Sequence, residues 1–325
     1  MERSYRLAAQ RKTALQRGIQ SATANSSPLE LIVRTREGKK EELARALEDG
    51  GRGQHVFSFI PYLSFVCEAK DADSIRASVE GEMRRGYGTI AKMVRGVDVS
   101  NKVSLPIPKV SHHVAELWNL DHIGAYAAQE ISTGRGASVA IIDTGVNYNH
   151  PELQQAFGNN KGYSFTGTEL PLDDNGHGTH VAGITAGQEY GVAPGSQLYS
   201  LKVLNAHGVG SEANSIAAME WAIDHDVDVV NMSLGSPLSS RAFEEICYYA
   251  ASEGILLVAA AGNEGEGPSY PASFDEAVIA VPAVDRNNKH PSFSNIYETN
   301  DVAAPGVDIP SSYLDGYATL TGTSM

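Results

Sequence analysis

From residue 139 onward, short apolar runs recur at intervals filled by segments of helical periodicity. The runs at 139–142, 198–203, 227–232, 255–260 and 277–281 predict buried strands, and residues 177–186, 212–223 and 241–252 predict helices. Alternation of this kind makes a parallel sheet covered on both faces, an α/β fold. Functional groups in such sheets gather at the carboxyl ends of the strands. Residues 29–99 follow a different pattern: strands at 29–33 and 56–68, the second turned into a hairpin at Pro61-Tyr62, helices at 39–47 and 72–83, and a last strand at 90–97. The order β-α-β-β-α-β is that of a small ferredoxin-like α+β domain. Between the two patterns, residues 100–113 contain Pro106 and Pro108 with few helix formers and are read as an exposed, extended connector. Residues 1–27 match neither pattern and are expected to be disordered.

Composition adds bounds. A chain of 325 residues, 42% hydrophobic and 20% charged, can bury a large core in more than one domain. Its formal net charge of −14, with no Lys/Arg-rich run, argues against a nucleic-acid or anionic-membrane partner. No stretch has the apolar length of a membrane span, and the basic first segment lacks the continuous apolar block of a secretory signal. The chain as written is therefore expected to be cytoplasmic, or secreted if a leader precedes it. Cys67 and Cys247 are read as buried free thiols, with a single bridge left open.

The chemistry centres on Asn175-Gly-His-Gly-Thr-His-Val-Ala-Gly183. It places His177 where a loop becomes a helix, with Gly176 and Gly178 leaving the imidazole approachable. Small and apolar residues from Val181 to Ile184 predict a helix buried along one side, which would hold the ring still. Alone, a histidine between glycines decorates a turn. Here the strand at 139–142 ends in Asp143-Thr144-Gly145, and the chain closes on Gly322-Thr323-Ser324-Met325. Carboxylate, imidazole and hydroxyl are the three parts of an activated serine nucleophile. Asn263, in the run Ala-Ala-Ala-Gly-Asn-Glu-Gly at 259–265, supplies a side-chain NH₂ that could be aimed at an oxyanion.

These three segments, in the order Asp, His, Ser, resemble the active-site signatures of subtilisin-like serine proteases, the subtilases. The resemblance covers nearly everything after residue 29. It implies a serine endopeptidase precursor acting on protein or peptide substrates with broad specificity. Ser324 would be the nucleophile, His177 the base and then the acid, Asp143 the residue orienting His177, and Asn263 with the Ser324 N–H the oxyanion donors. Gly208, Val209 and Gly210 and the opposite Ser233, Leu234 and Gly235 would pair with the substrate backbone. Ala260, Ala261 and Gly262 would line the site, and Ser269 would lie at the floor of the pocket for the residue before the cut. Glu212 and Ser215 fall near the next subsite, and Tyr270-Pro271 matches the family's cis step.

Under the same resemblance, residues 28–99 would be an inhibitory propeptide acting within the chain, 100–113 a cleavable connector, and 114–325 the peptidase domain. Family members continue past the serine through a helix and further elements. The domain is therefore expected to be incomplete at Met325, and this chain to be inactive. The alternative is a non-catalytic fragment whose first domain binds or inhibits another protease. A monomer is expected, and no cofactor is needed for catalysis. The family's calcium loop after the histidine helix is missing, since residues 187–190 run straight into Gly-Val-Ala-Pro. Structural calcium at Glu152, Asp173 and Asp174 is left open, and zinc at His177 and His180 is discounted because their i, i+3 spacing lacks the glutamate of a zincin helix.

Overall fold

In the computed structural model, residues 29–35, 37–47, 52–67, 94–105, 109–111 and 116–325 are described, and the contacts among their Cα atoms divide the chain into two units. One unit is built on Met1–Asn101, with Ser240–Phe243 counted to it; the other begins at Lys102. Apolar residues at 31–33 and 62–63 supply the first unit's core, because Leu31, Ile32, Val33, Tyr62 and Leu63 are all buried. They sit on β1 (Leu29–Thr35) and β3 (Tyr62–Cys67), while α1 (Lys40–Leu47), β2 (Arg52–Val56) and β4 (Val94–Val99) complete the described elements. The sheet order is β2-β3-β1-β4 with every pair antiparallel.

The hairpin turns earlier than the sequence pattern suggests. Residues 57–61 form the bend, and Tyr62 opens β3 opposite Arg34. Pro61 offers no N–H to a ladder, but its carbonyl accepts from the Thr35 amide at 2.7 Å, so it ends the bend. The helix expected at 72–83 lies outside the described residues.

In the second unit, β5 (Lys102–Ser104) and β6 (Lys109–Ser111) precede the short helices α2 (Trp118–His122) and α3 (Ala125–Gln129). The α/β body follows as β7 (Ser138–Asp143), β8 (Gly162–Ser164), α4 (His177–Ala186), β9 (Gln197–Lys202), β10 (Val209–Ser211), α5 (Glu212–Asp224), β11 (Val229–Met232), α6 (Arg241–Ser252), β12 (Leu256–Ala260) and β13 (Val278–Val281). Five of these strands are the apolar runs, and with β8 they make a six-stranded parallel sheet in the order β13-β12-β11-β7-β9-β8. Short β14 (Ala283–Val284) and β15 (Ala304–Pro305) pair with each other. The sequence pattern did not reveal β16 (Ile309–Tyr313) and β17 (Gly316–Thr321), a hairpin to which β6 adds as a third antiparallel strand.

That hairpin explains one correction. The helix bearing His177 is buried on every face through its first seven residues, not along one side. Val181, Ala182 and Ala186 pack into the core with Val139, Ile141 and Leu198 of the sheet. The opposite face is clasped by β16, where Ser311 Oγ donates to the His180 carbonyl at 2.8 Å and Ser312 Oγ to the Thr179 carbonyl at 3.0 Å. The approach is so close that a Cβ on Gly183 would lie 2.2 Å from Ser311 Oγ. A side chain there would displace the two serine hydroxyls that clasp the helix.

His180, also fully buried, shows what such burial costs. Its Nε2 lies 3.2 Å from the Ala318 carbonyl, which calls for a hydrogen on that nitrogen, and Nδ1 has no partner. Burial, reinforced by His177, pushes its pKa down to about 3. Unfolded, the group titrates near the ordinary histidine value of about 6.5. Between those values the unfolded chain binds the extra proton, so the stability that goes with a neutral His180 is present above pH ~6.5 and lost as the pH falls toward 3. The expected outcome is a melting temperature that drops across this window less steeply in H180Q than in the parent. Thermal melts at half-unit pH steps check it.

Candidate active site

Three strand ends of the parallel sheet build the site. β7 delivers Asp143 as its last residue, β11 runs into Ser233, Leu234 and Gly235, and β12 runs into Ala261, Gly262 and Asn263. His177 arrives from the first turn of α4. Its Nδ1 lies 2.9 and 3.0 Å from the two carboxylate oxygens of Asp143, and both residues are almost completely buried. The Thr144 amide adds a 2.7 Å donation to the same carboxylate. With Nδ1 facing two acceptor oxygens the ring carries its hydrogen there, and in the neutral imidazole Nε2 keeps its lone pair.

The approach of α4 to β7 is fixed by two devices. A Cβ on Gly178 would come within 2.1 Å of the Gly145 carbonyl oxygen, so only glycine allows the helix this close. Asp173 then ties the helix start: Oδ1 accepts from the Asn175 and Gly176 amides at 2.9 Å each and from Thr144 Oγ1 at 2.8 Å. Oδ2 accepts from the Thr179 amide at 2.9 Å and its hydroxyl at 2.6 Å. A carboxylate at a helix N-terminus satisfies otherwise orphaned amides and meets the positive end of the helix dipole. Nothing in the sequence marks Asp173 for this role.

Ser324 and Asn263 meet through Thr323. The Thr323 amide, which can only donate, lies 2.9 Å from Asn263 Oδ1, and the Thr323 hydroxyl donates to the same oxygen at 2.8 Å. This sets the amide's orientation and leaves Nδ2 as its donor. Thr323 was not singled out in the sequence, where it is one polar residue in a short signature. Ser324 is buried beside it, but its hydroxyl donates to the Ser233 carbonyl at 3.1 Å, and His177 Nε2 has no hydrogen-bond partner. The carboxylate and imidazole are thus joined, while the hydroxyl is turned elsewhere.

The expected substrate edges lie on both sides of β5. Val209 and Gly210 pair with Ser104 and Val103, and Leu105 donates to the Gly208 carbonyl at 3.0 Å. On the other side Ser104 and Gly235 exchange two backbone bonds of 3.1 Å. Val103 is fully buried in this position. Next to Ser104 lies a cavity of about 340 Å³, lined by Leu234, Gly235, Ala260, Gly262 and Ser269 among others, with Glu264 and Glu266 at its exposed rim. Ala261 is buried behind this surface. Glu264 is held by Asn295, whose Nδ2 donates to its carboxylate at 3.0 Å. Neither rim carboxylate was foreseen, because a charged residue in a Gly-rich turn reads as solvated. Glu212 and Ser215 are buried, and Glu212 accepts from Ser239 Oγ at 2.9 Å. The Tyr270-Pro271 bond is cis.

The three carboxylates considered for calcium each have partners within the protein. Asp173 is committed to the helix start, Asp174 pairs with buried Lys202 at 2.7 Å, and Glu152 accepts from the Glu189 amide at 2.9 Å. Among the described residues no group of three or more His, Cys, Asp or Glu side chains is placed to hold a metal ion. No described helix is long and apolar enough to cross a membrane.

Residues 134–325 match the model of the subtilase family of peptidases. M-protease of Shouchella clausii is 38% identical over 232 residues, which are 69% of this chain and 55% of that protein. Subtilisin Savinase of Lederbergia lenta is 43% identical over 169 residues, 50% of this chain and 61% of that protein. The chain thus spans about half the length of the curated relatives it matches. A crystal structure of a cold-adapted subtilisin-like serine proteinase superposes with a TM-score of 0.57 at 35% identity, over 60% of this chain and 72% of that one. With the parallel sheet, the buried Asp143–His177 pair and the neighbouring Ser324 and Asn263 in place, the chain belongs to the subtilase family.

Proposed function

We propose that this protein is a serine endopeptidase that cleaves protein or peptide chains through an acyl-enzyme. The observation that carries the reading is the buried His177 whose Nδ1 is held by Asp143 while Nε2 is left free for a hydroxyl. In the reaction Ser324 Oγ attacks the carbonyl carbon of the scissile bond and passes its proton to His177 Nε2. Asp143 stabilises the imidazolium that results. The oxyanion is met by Asn263 Nδ2 and the Ser324 N–H. Collapse breaks the C–N bond as His177 returns the proton to the leaving amine, and water then repeats the sequence on the ester.

Backbone pairing on two sides supports broad specificity, since main-chain bonds make little demand on side chains. The pocket beside Ser269 would take the residue before the cut, and its rim carboxylates disfavour Asp or Glu there. Residues 28–99 are read as an intramolecular inhibitor. The support for this is that the first strand after them, β5, already occupies the backbone positions a substrate would use.

Replacing His177 by Ala is expected to abolish peptidase activity, because members of such a triad act as a unit. N263A should lower kcat by about 10²–10³ with KM little changed, a range that comes from a subtilisin asparagine and is carried over with the family. Steady-state kinetics on a chromogenic peptide check both, and full activity in H177A would refute the assignment. Because residues 187–190 run straight into Gly-Val-Ala-Pro without the family's calcium loop, a chelator is expected to lower the melting temperature less than it does in relatives that keep that loop. Calorimetry with and without chelator reads this directly.

A further inference from the structure

Asn295 is almost completely buried, at 1% exposure, beside the loop that follows β12. Its own amide donates to the Gly262 carbonyl at 3.0 Å. Its side-chain Oδ1 accepts from the Glu264 amide at 2.8 Å, while Nδ2 donates to the Glu264 carboxylate at 3.0 Å and to the Gly267 carbonyl at 3.1 Å. A backbone amide can only donate, and a carbonyl or carboxylate only accept, so these partners dictate which end of the side chain is the oxygen. An apolar residue could make none of the three side-chain bonds.

Gly262 and Glu264 are the two chain neighbours of Asn263. Peptide units are planar, so the backbone of Asn263 keeps only its rotations about N–Cα and Cα–C. The plane before that Cα carries the Gly262 carbonyl, and the plane after it carries the Glu264 amide. Asn295 bonds to both, so one residue sets both rotations. The fit is close: φ at Gly262 is +106°, and a Cβ there would run into Asn295 Nδ2. The segment around Asn295 grips the loop once more, since the Gly265 amide donates to the Phe293 carbonyl at 2.7 Å. Ser294 anchors that segment in turn, its hydroxyl accepting from the Ala283 amide at 2.9 Å.

We propose that Asn295 is a positioning residue for the oxyanion donor. It fixes the backbone from which Asn263 Nδ2 is aimed, while Thr323 fixes the side chain through Oδ1. Without Asn295 the Glu264 amide and the Gly267 carbonyl lose their partners, and the loop must shift to regain them. A donor that moves with the loop no longer meets the developing charge where it forms. This rests on the serine-peptidase reading above.

A double-mutant cycle on the full chain tests it. The substrate is a chromogenic peptide with a neutral residue before the cut, and kcat is taken per serine titrated with a phosphonate. N295A is expected to lower kcat by about 10- to 100-fold, the scale on which small misplacements act. In the N263A background the same change should cost less than about twofold, because the donor it positions is already gone. A residue that only stabilised the fold would lower the melting temperature and spare kcat per serine, or lower kcat equally in both backgrounds; either result overturns the proposal. If N295A does not fold, N295D and N295D/E264Q decide. N295D sets two carboxylates against each other and should lose kcat, and adding E264Q supplies a donor and should restore it by about tenfold or more. No recovery overturns the proposal as well. If the parent chain does not hydrolyse the peptide, the peptidase reading falls and the role of Asn295 falls with it.

Discussion

Asp143 has its carboxylate entirely inside the protein, and the rest of the second unit is arranged around making that tolerable. A buried carboxylate left without partners costs several kcal/mol. Here it receives the Thr144 amide and the His177 ring, and the ring can be reached only because α4 lies almost on top of β7. That contact needs Gly178 on the side of the strand and Gly183 on the side of β16. Val181, Ala182 and Ala186 pack one face of the helix into the apolar core, and polar clasps from Asp173, Ser311 and Ser312 fix its start and other flank. The orientation of one imidazole is thus the outcome of apolar packing and hydrogen bonds acting on opposite sides of one helix.

Much of this was legible in the sequence, for reasons that differ by element. The strands of the central sheet are covered on both faces, so 139–142 and 255–260 stand out as unbroken apolar runs. Asp143, His177 and Ser324 were visible because their chemistry admits few side chains and because each sits in a glycine-rich signature. The β16–β17 hairpin was not visible, since its buried residues mix apolar Ile309, Ala318 and Leu320 with polar Ser311, Ser312 and Thr319. Consecutive buried serines break the apolar alternation that would mark a strand. The role of Asp173 at the helix start was not legible for a related reason: whether a carboxylate is solvated, ligates metal or caps a helix depends on where its neighbours' amides point. Composition carries no information about that.

The site is also economical in donors and acceptors. Thr323 offers only donors to Asn263 Oδ1, which leaves the asparagine a single useful orientation. Its hydroxyl oxygen accepts from the Gly262 amide at 3.2 Å, so the loop after β12 and the residue before the nucleophile are locked to each other. Preorganisation of this kind matters because donors already aimed at a developing charge need not reorient during the reaction.

The segment after β11 is fixed to the end of the chain in the same manner. The Ser233 carbonyl accepts from Ser324 Oγ at 3.1 Å, and the Ser233 hydroxyl donates to the Ser324 carbonyl at 3.0 Å. Two residues on, Gly235 exchanges two backbone bonds with Ser104. The backbone that pairs with an extended strand and the backbone that holds the serine are therefore one short segment, so the position of a paired strand is set relative to the serine by the covalent spacing from 233 to 235.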